Sequence, residues 1–215
     1  MILGFAGKAA TGKTTAARHL AAVLDMQVLI IPMARVLRDE VEAFLREIGA
    51  ADHVPLVYGS QEDKVRTFYV NESKARQKCN AWQLFIDEHH DIQDRPGLTA
   101  VTVRRILQWW GTEYRRAQDP DYWTKAWGHK VSQLDLHKTL VLVDDVRFMN
   151  ELNVIREFGG LIVKIERPGF DGANNHSSET SLDDYRQWDG LIVNDGTLEQ
   201  FGRKVETLAG EILQI

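Results

Sequence analysis

Cysteine is almost missing from this 215-residue sequence: Cys79 stands alone. No disulfide can therefore form within the chain, which fits a reducing compartment and makes the cytoplasm the expected location. A single thiol reads as structural rather than as a nucleophile. Repeats and low-complexity tracts are also missing. No apolar run approaches the ~20 residues of a membrane span. The apolar start, Met1-Ile2-Leu3-Gly4-Phe5-Ala6, is interrupted by Lys8, so it reads as a first strand and not as a signal peptide. A basic block is lacking too. Lys and Arg number 26 against 31 Asp and Glu, a formal charge of −5, which disfavours a nucleic-acid partner. A small anionic substrate remains open, because it needs only a few well-placed arginines. The seven histidines, His89-His90 among them, show no metal-ligand spacing, so no zinc site is expected.

What is present is a phosphate-binding loop. Gly7-Lys8-Ala9-Ala10-Thr11-Gly12-Lys13-Thr14 satisfies G-x-x-x-x-G-K-[ST] in full, between a short apolar strand and a helical stretch from Thr15 to Leu24. Glycines let the backbone curl so that successive N–H groups, including those of Ala10, Thr11 and Thr15, face one centre at the positive end of a helix. A polyphosphate belongs there. Lys13 should reach its β/γ-phosphates, and the Thr14 hydroxyl should hold Mg²⁺. A nucleoside triphosphate is the expected ligand.

Apolar runs alternate with helical patterns along the rest of the chain. Strands are expected at 26–31, 139–143, 161–165 and 190–193, and helices at 35–48, 150–158 and 198–213. Continuous apolar runs such as Thr139-Leu140-Val141-Leu142-Val143 suit strands buried on both faces. The expectation is an α/β domain with a five-stranded parallel sheet and helices on both faces. Ligands on such sheets sit at the carboxyl ends of the strands, where the glycine loop already lies. Two stretches depart from this pattern. Residues 50–97 are polar and irregular, either a solvated excursion or an acceptor-binding flap. Residues 167–187 carry Pro168-Gly169 and Asp171-Gly172-Ala173-Asn174-Asn175, which is lid chemistry.

Other candidates cluster at strand ends. Asp144 and Asp145 close a buried strand, where an acid can hold the Mg²⁺ shell or an acceptor. Arg147, two residues on, offers a planar fork to a phosphate. A helix over 102–116 is crowded with arginines and aromatics: Arg104, Gln108 and Arg115 can share a face, while Trp109 and Trp110 read as core. Trp123 and Trp127 stand one helical turn apart and suit either core packing or base stacking.

Taken together, Thr102-x-Arg104-x-x-Leu107-Gln108-x-x-Gly111-Thr112-Glu113, Asp121-Tyr122-Trp123, Asp144-Asp145-Val146-Arg147-Phe148-x-Asn150-Glu151, Arg167-Pro168-Gly169 and His176-x-Ser178-Glu179 resemble the phage deoxynucleoside monophosphate kinases. The segment Asn194-Asp195-Gly196-Thr197-Leu198-Glu199 is similar to the adenine-side loop of these enzymes and of dephospho-CoA kinases. The likeness runs from Met1 to the last helix and is weakest over 50–97. It implies one P-loop nucleoside monophosphate kinase domain, with 1–49 and 98–215 as core, 50–97 as an acceptor-binding insertion and 167–187 as a lid. The implied reaction takes a phosphoryl group from ATP to a deoxynucleoside 5′-monophosphate, with Mg²⁺. In this reading Arg104 and Arg147 clamp the acceptor phosphate and Arg167 enters with the lid. Asn194 and Gly196 border the adenine. Arg35, Gln108, Gly111, Trp123 and Glu151 complete the substrate contacts. The family's Asp-x-Arg spacing favours Asp145 over Asp144 as the functional, metal-side acid. A phage-encoded enzyme would work in the host cytoplasm, and pairing into a homodimer is left open. The rivals are another small-molecule kinase, such as a dephospho-CoA kinase, and a non-catalytic nucleotide-binding switch. The switch lacks a guanine-reading Asn-Lys-x-Asp segment.

Overall fold

The computed structural model describes residues 1–60, 62–89, 95–170 and 180–214. Among them are seven strands: β1 (Ile2–Ala6), β2 (Gln27–Ile30), β3 (Thr67–Asn71), β4 (Leu98–Thr102), β5 (Thr139–Val146), β6 (Leu161–Glu166) and β7 (Gly190–Val193). The helices are α1 (Lys13–Val23), α2 (Arg35–Glu47), α3 (Pro55–Tyr58), α4 (Glu72–Lys78), α5 (Trp82–Glu88), α6 (Val103–Trp109), α7 (Tyr122–Val131), α8 (Met149–Glu157) and α9 (Leu198–Leu213). No helix among the described residues is long and apolar enough to cross a membrane. Two compact units result: Met1–Met33 with Thr124–Ile215, and Ala34–Trp123.

The first unit holds the expected five-stranded parallel sheet, in the order β2-β5-β1-β6-β7. Its layers follow from side-chain alternation along the strands. Leu3, Phe5, Leu140, Leu142, Val163 and Ile165 face one way and pack on Ala16, Ala17 and Leu20 of α1 and on Phe201, Val205 and Ala209 of α9. Ile2, Ala6, Val141, Val143, Val146 and Ile162 face the other way, onto Trp127 and Val131 of α7 and Leu152 and Ile155 of α8. Both faces are covered, which is why β1, β5 and β6 read as continuous apolar runs. Thr197 and Gln200 fix the start of α9 with a reciprocal cap: Thr197 Oγ1 accepts from the Gln200 N–H at 3.2 Å, and Gln200 Oε1 accepts from the Thr197 N–H at 2.9 Å.

Strand β5 runs three residues past its apolar stretch and takes in both acids. Gly4 pairs with Val143 and Ala6 with Val146. Two residues of β5, Asp144 and Asp145, thus oppose the single Phe5 of β1. This is a β-bulge, a device that re-aims side chains at the end of a strand.

The second unit corrects the expectation for 50–97. That stretch is not a polar excursion. Val54, Val57, Phe68, Val70, Ala75, Cys79, Trp82, Phe85 and Ile86 join a buried core with Val41, Phe44 and Leu45 of α2 and Ile106 and Trp109 of α6. Strand β3 pairs antiparallel with β4, Phe68 opposite Val101 and Val70 opposite Thr99. The unit is also wider than the expected insertion, because α2, β4 and α6 belong to it. The helix expected over 102–116 is α6 followed by a π-helical turn over Trp110–Arg116. Trp109 and Trp110 are core residues, 2% and 5% exposed.

Candidate active site

The phosphate loop leaves β1 at Gly7 and enters α1 at Gly12. Both glycines have positive φ, +140° and +112°. A side chain at Gly7 would put Cβ 2.3 Å from the Ile165 carbonyl oxygen on β6, and one at Gly12 would meet Asn194 and the Phe201 ring. Only glycine fits either position. Ala10 also takes a left-handed φ of +61°. Thr11 closes the turn with its hydroxyl, which donates to the Lys8 carbonyl at 2.9 Å. Lys13 is 7% exposed, and its ammonium donates to the Gly7 and Lys8 carbonyls, both at 2.6 Å. The loop therefore holds the lysine's charge over its own curl. Thr14 and Thr15 are exposed in the first turn of α1.

Other elements brace this loop. The Asn194 side-chain amide, just past β7, donates to the Thr11 carbonyl at 2.8 Å. Its backbone N–H donates to the Glu166 carbonyl at 2.7 Å. Arg167, just past β6, donates from Nη1 to the Ala10 carbonyl at 3.3 Å and stacks on Phe170 at 4.1 Å. A Cβ at Gly196 would lie 2.3 Å from the capping Gln200 Oε1, so a side chain there would have to displace that cap.

The bulge separates the two acids. Asp145 Oδ1 accepts from the Met33 backbone N–H at 2.7 Å, which ties the end of β5 to the chain leaving β2. Asp144 is 8% exposed, and its carboxylate has no hydrogen-bond or ion-pair partner among the described residues. Glu151 is buried too, and its Oε2 accepts from the Arg147 and Phe148 N–H groups at 2.8 and 3.1 Å. It caps α8 and fixes the Arg147 peptide.

A cavity of about 360 Å³ lies beside the loop. Gly7, Lys8 and Thr11 line it with Arg147, Lys164, Glu166, Arg167, Phe170, Asp183 and Trp188. Its size and its mix of aromatic walls and converging charges suit a nucleotide-sized ligand. Lys8 pairs with Asp183 at 3.6 Å, and Lys164 with Glu166 at 2.6 Å. Residues 171–179 of the expected lid lie outside the described residues, as do His90, His176, Ser178 and Glu179.

Five expected substrate residues sit in the second unit. Gly111 and Trp123 are packing residues there: Trp123 is 3% exposed, its indole N–H donates to the Gly111 carbonyl at 3.0 Å, and Gly111 abuts Leu37. Arg35 is exposed and paired with Asp39 at 2.9 Å. Arg115 is also structural. Glu40 accepts from Arg115 Nε at 2.9 Å, Trp110 Nε1 at 2.8 Å and the Tyr122 hydroxyl at 2.5 Å. Gln108 is exposed and Arg104 half-buried. Thr102 caps α6 by accepting from the Arg105 N–H, which sets Arg104 in the first turn. The Cys79 thiol is buried, which pushes its pKa up, as suits an inert side chain.

The model of the deoxynucleotide monophosphate kinase family matches residues 53–205. The chain belongs to this family. That match begins beyond the phosphate loop, so the loop and the family are separate observations. A protein of Acanthamoeba polyphaga mimivirus that carries the family's name provisionally is 32% identical over 111 residues, 46% of this chain and 57% of that one. The deoxynucleotide monophosphate kinase of Enterobacteria phage T4 is 26% identical over 155 residues, 69% of this chain and 61% of its own. That of Escherichia phage RB69 is 27% identical over 109 residues, 50% of this chain and 44% of its own. The matches thus span about half the length of these relatives. A dephospho-CoA kinase from Campylobacter jejuni aligns over 98% of this chain and 96% of its own, but a TM-score of 0.41 and 14% identity are too low to bear on fold or activity.

Proposed function

We propose that this chain transfers a phosphoryl group from ATP to a deoxynucleoside 5′-monophosphate, giving ADP and the diphosphate. The observation that carries the reading is the phosphate loop, with its two obligate glycines and the lysine ammonium held over its curl, in a chain of this kinase family. The attacking oxygen belongs to a phosphate that is already anionic near neutral pH. No strong base is needed, and catalysis rests on alignment and charge neutralisation.

The loop amides and Lys13 would hold the donor phosphates. Arg147, fixed through its peptide by Glu151, and Arg167, reaching the loop at Ala10, would stabilise charge on the transferred group and the acceptor. Arg104, in the first turn of α6, is a further candidate for an acceptor contact. Asn194 braces the loop, and the chain up to Gly196 would border the adenine. For Mg²⁺, the residues fit a metal bound with the phosphates. A buried, unpartnered carboxylate at a strand end is the donor such an ion wants, and Asp144 has that character where Asp145 is tied to Met33. Thr14 and Asp144 would hold the ion, so Asp144 replaces Asp145 in that role. When bound, it would neutralise negative charge on the phosphates.

The test is a coupled ADP-release assay against a panel of deoxy- and ribonucleoside monophosphates and dephospho-CoA. Turnover should be confined to the nucleotides. Lys13→Ala should lower it ~10²–10³-fold with the fold intact. Release of ADP with dephospho-CoA alone, or near-normal turnover by Lys13→Ala, would overturn the reading.

A further inference from the structure

We propose that Phe170 is a positioning residue for Arg167. The turn Arg167–Phe170 folds the ring back over the guanidinium and holds it at the phosphate loop without cancelling its charge. The consequence for transfer rests on the kinase reading. The positioning itself stands on the geometry of four residues.

Arg167-Pro168-Gly169-Phe170 is a type II β-turn. The proline ring presets the first corner at a φ of about −65°. The second corner needs a positive φ, and Gly169 has +77°. The Phe170 N–H closes the turn by donating to the Arg167 carbonyl at 3.1 Å. No atom lies within 4 Å of the place a Gly169 Cβ would take, so glycine is required there by the backbone and not by lack of space. On the other side of Arg167, Glu166 ends β6 opposite Val193, and its carbonyl accepts from the Asn194 N–H at 2.7 Å. The arginine's backbone is therefore fixed in both directions. The turn carries the ring to the guanidinium, whose Cζ lies 4.1 Å from the ring centroid, while Nη1 donates to the Ala10 carbonyl of the loop at 3.3 Å. All four turn residues line the cavity beside the loop.

An arginine side chain has many rotamers to lose, and one long bond to a carbonyl does little to hold it. A carboxylate would hold it better but would cancel the charge. The lysines of the same cavity are held in that way, Lys8 by Asp183 and Lys164 by Glu166. Arg167 has no carboxylate partner among the described residues. The phenyl ring takes only the face of the guanidinium, so the in-plane donors not given to Ala10 stay available to a phosphate. Phe170 contributes little else. It is 42% exposed and belongs to none of the three hydrophobic clusters.

The experiment compares the wild type with Phe170→Leu and Phe170→Tyr, alone and in an Arg167→Ala background. Steady-state kinetics and thermal melts are combined with nitrogen-15 NMR of the arginine Nε–H groups, the Arg167 signal being assigned from Arg167→Lys. Phe170→Leu should lower kcat about three- to tenfold, with the KM for either substrate moving less. Its Tm should stay within about 2 °C of the wild type. Phe170→Tyr keeps the ring and should restore kcat to within about twofold. In the Arg167→Ala background, Phe170→Leu should cost less than about twofold more, because the group it acts through is gone. The wild-type Arg167 Nε–H should be ordered and shifted upfield by the ring, and Phe170→Leu should remove both effects. A loss from Phe170→Leu that persists undiminished without Arg167, or an Arg167 signal that the substitution leaves unchanged, overturns the positioning role. The kinase reading fails separately. If the wild type transfers no phosphoryl group to any monophosphate, that reading falls, and the NMR comparison alone decides whether Phe170 positions Arg167. If transfer occurs and Phe170→Leu disorders Arg167 with kcat unchanged, the kinase reading stands and the role of the stack in the reaction falls.

Discussion

The adjacent acids Asp144 and Asp145 should respond to mutation in opposite ways. Asp145 accepts a charge-assisted hydrogen bond from the Met33 N–H at 2.7 Å, and Met33 is 2% exposed. Asp145→Ala leaves that donor without its acceptor. Hydrogen bonds to charged groups are worth about 1.5–3 kcal/mol, and for a chain of this size each kcal/mol moves Tm by roughly 2–4 °C. A fall of about 3–12 °C is expected, with kcat reduced less than about tenfold because the carboxylate is assigned to the backbone. Asp144 presents the reverse case. Asp144 is 8% exposed and its carboxylate has no partner among the described residues, so the fold itself makes no use of its charge. Asp144→Asn keeps the shape and removes the charge. Stability should rise by about 1 kcal/mol, or about 2–4 °C, while Mg²⁺-dependent turnover falls ~10²–10³-fold. Thermal melts and steady-state kinetics on the two purified variants test both arms. Should Asp144→Asn melt lower than the wild type with near-normal kcat, while Asp145→Ala keeps its Tm and loses turnover, the roles are reversed and the argument from the bulge is wrong.

Asn194→Ala removes the 2.8 Å donor to the Thr11 carbonyl. It should lower stability by about 1 kcal/mol and raise the KM for ATP several-fold with the acceptor KM unchanged, read from melts and from kinetics with each substrate varied. Cys79 should resist thiol reagents, because burial raises its pKa. At neutral pH a disulfide reagent should react with the native chain at least about tenfold more slowly than with a small free thiol, and at the free-thiol rate once the chain is unfolded in denaturant.

The sheet was legible because its central strands are buried on both faces. Continuous runs such as Leu140-Val141-Leu142-Val143 have few alternatives to a central parallel strand, and the phosphate loop marks its own strand and helix. The part of the second unit between α2 and α6 was not legible, because its strands and helices are short and each carries polar residues on an outer face. Phe68 and Val70 alternate with Thr67, Tyr69 and Asn71 in a strand half-covered by its own unit. A five-residue alternation of this kind gains its meaning only from the partner β4. The same distinction governs the site. Gly7, Gly12 and Lys13 were readable because their roles are set by the local backbone. For Gly111, Trp123, Glu151 and Arg115 the sequence reports which groups can bind phosphate or base, and not which already have a partner within the fold. Trp123 is claimed by the Gly111 carbonyl, Glu151 by the peptides before α8 and Arg115 by Glu40. The polar groups left to a ligand are those remaining after the fold has satisfied its own. By that criterion Asp144 in the sheet ranks above residues that the sequence made more prominent.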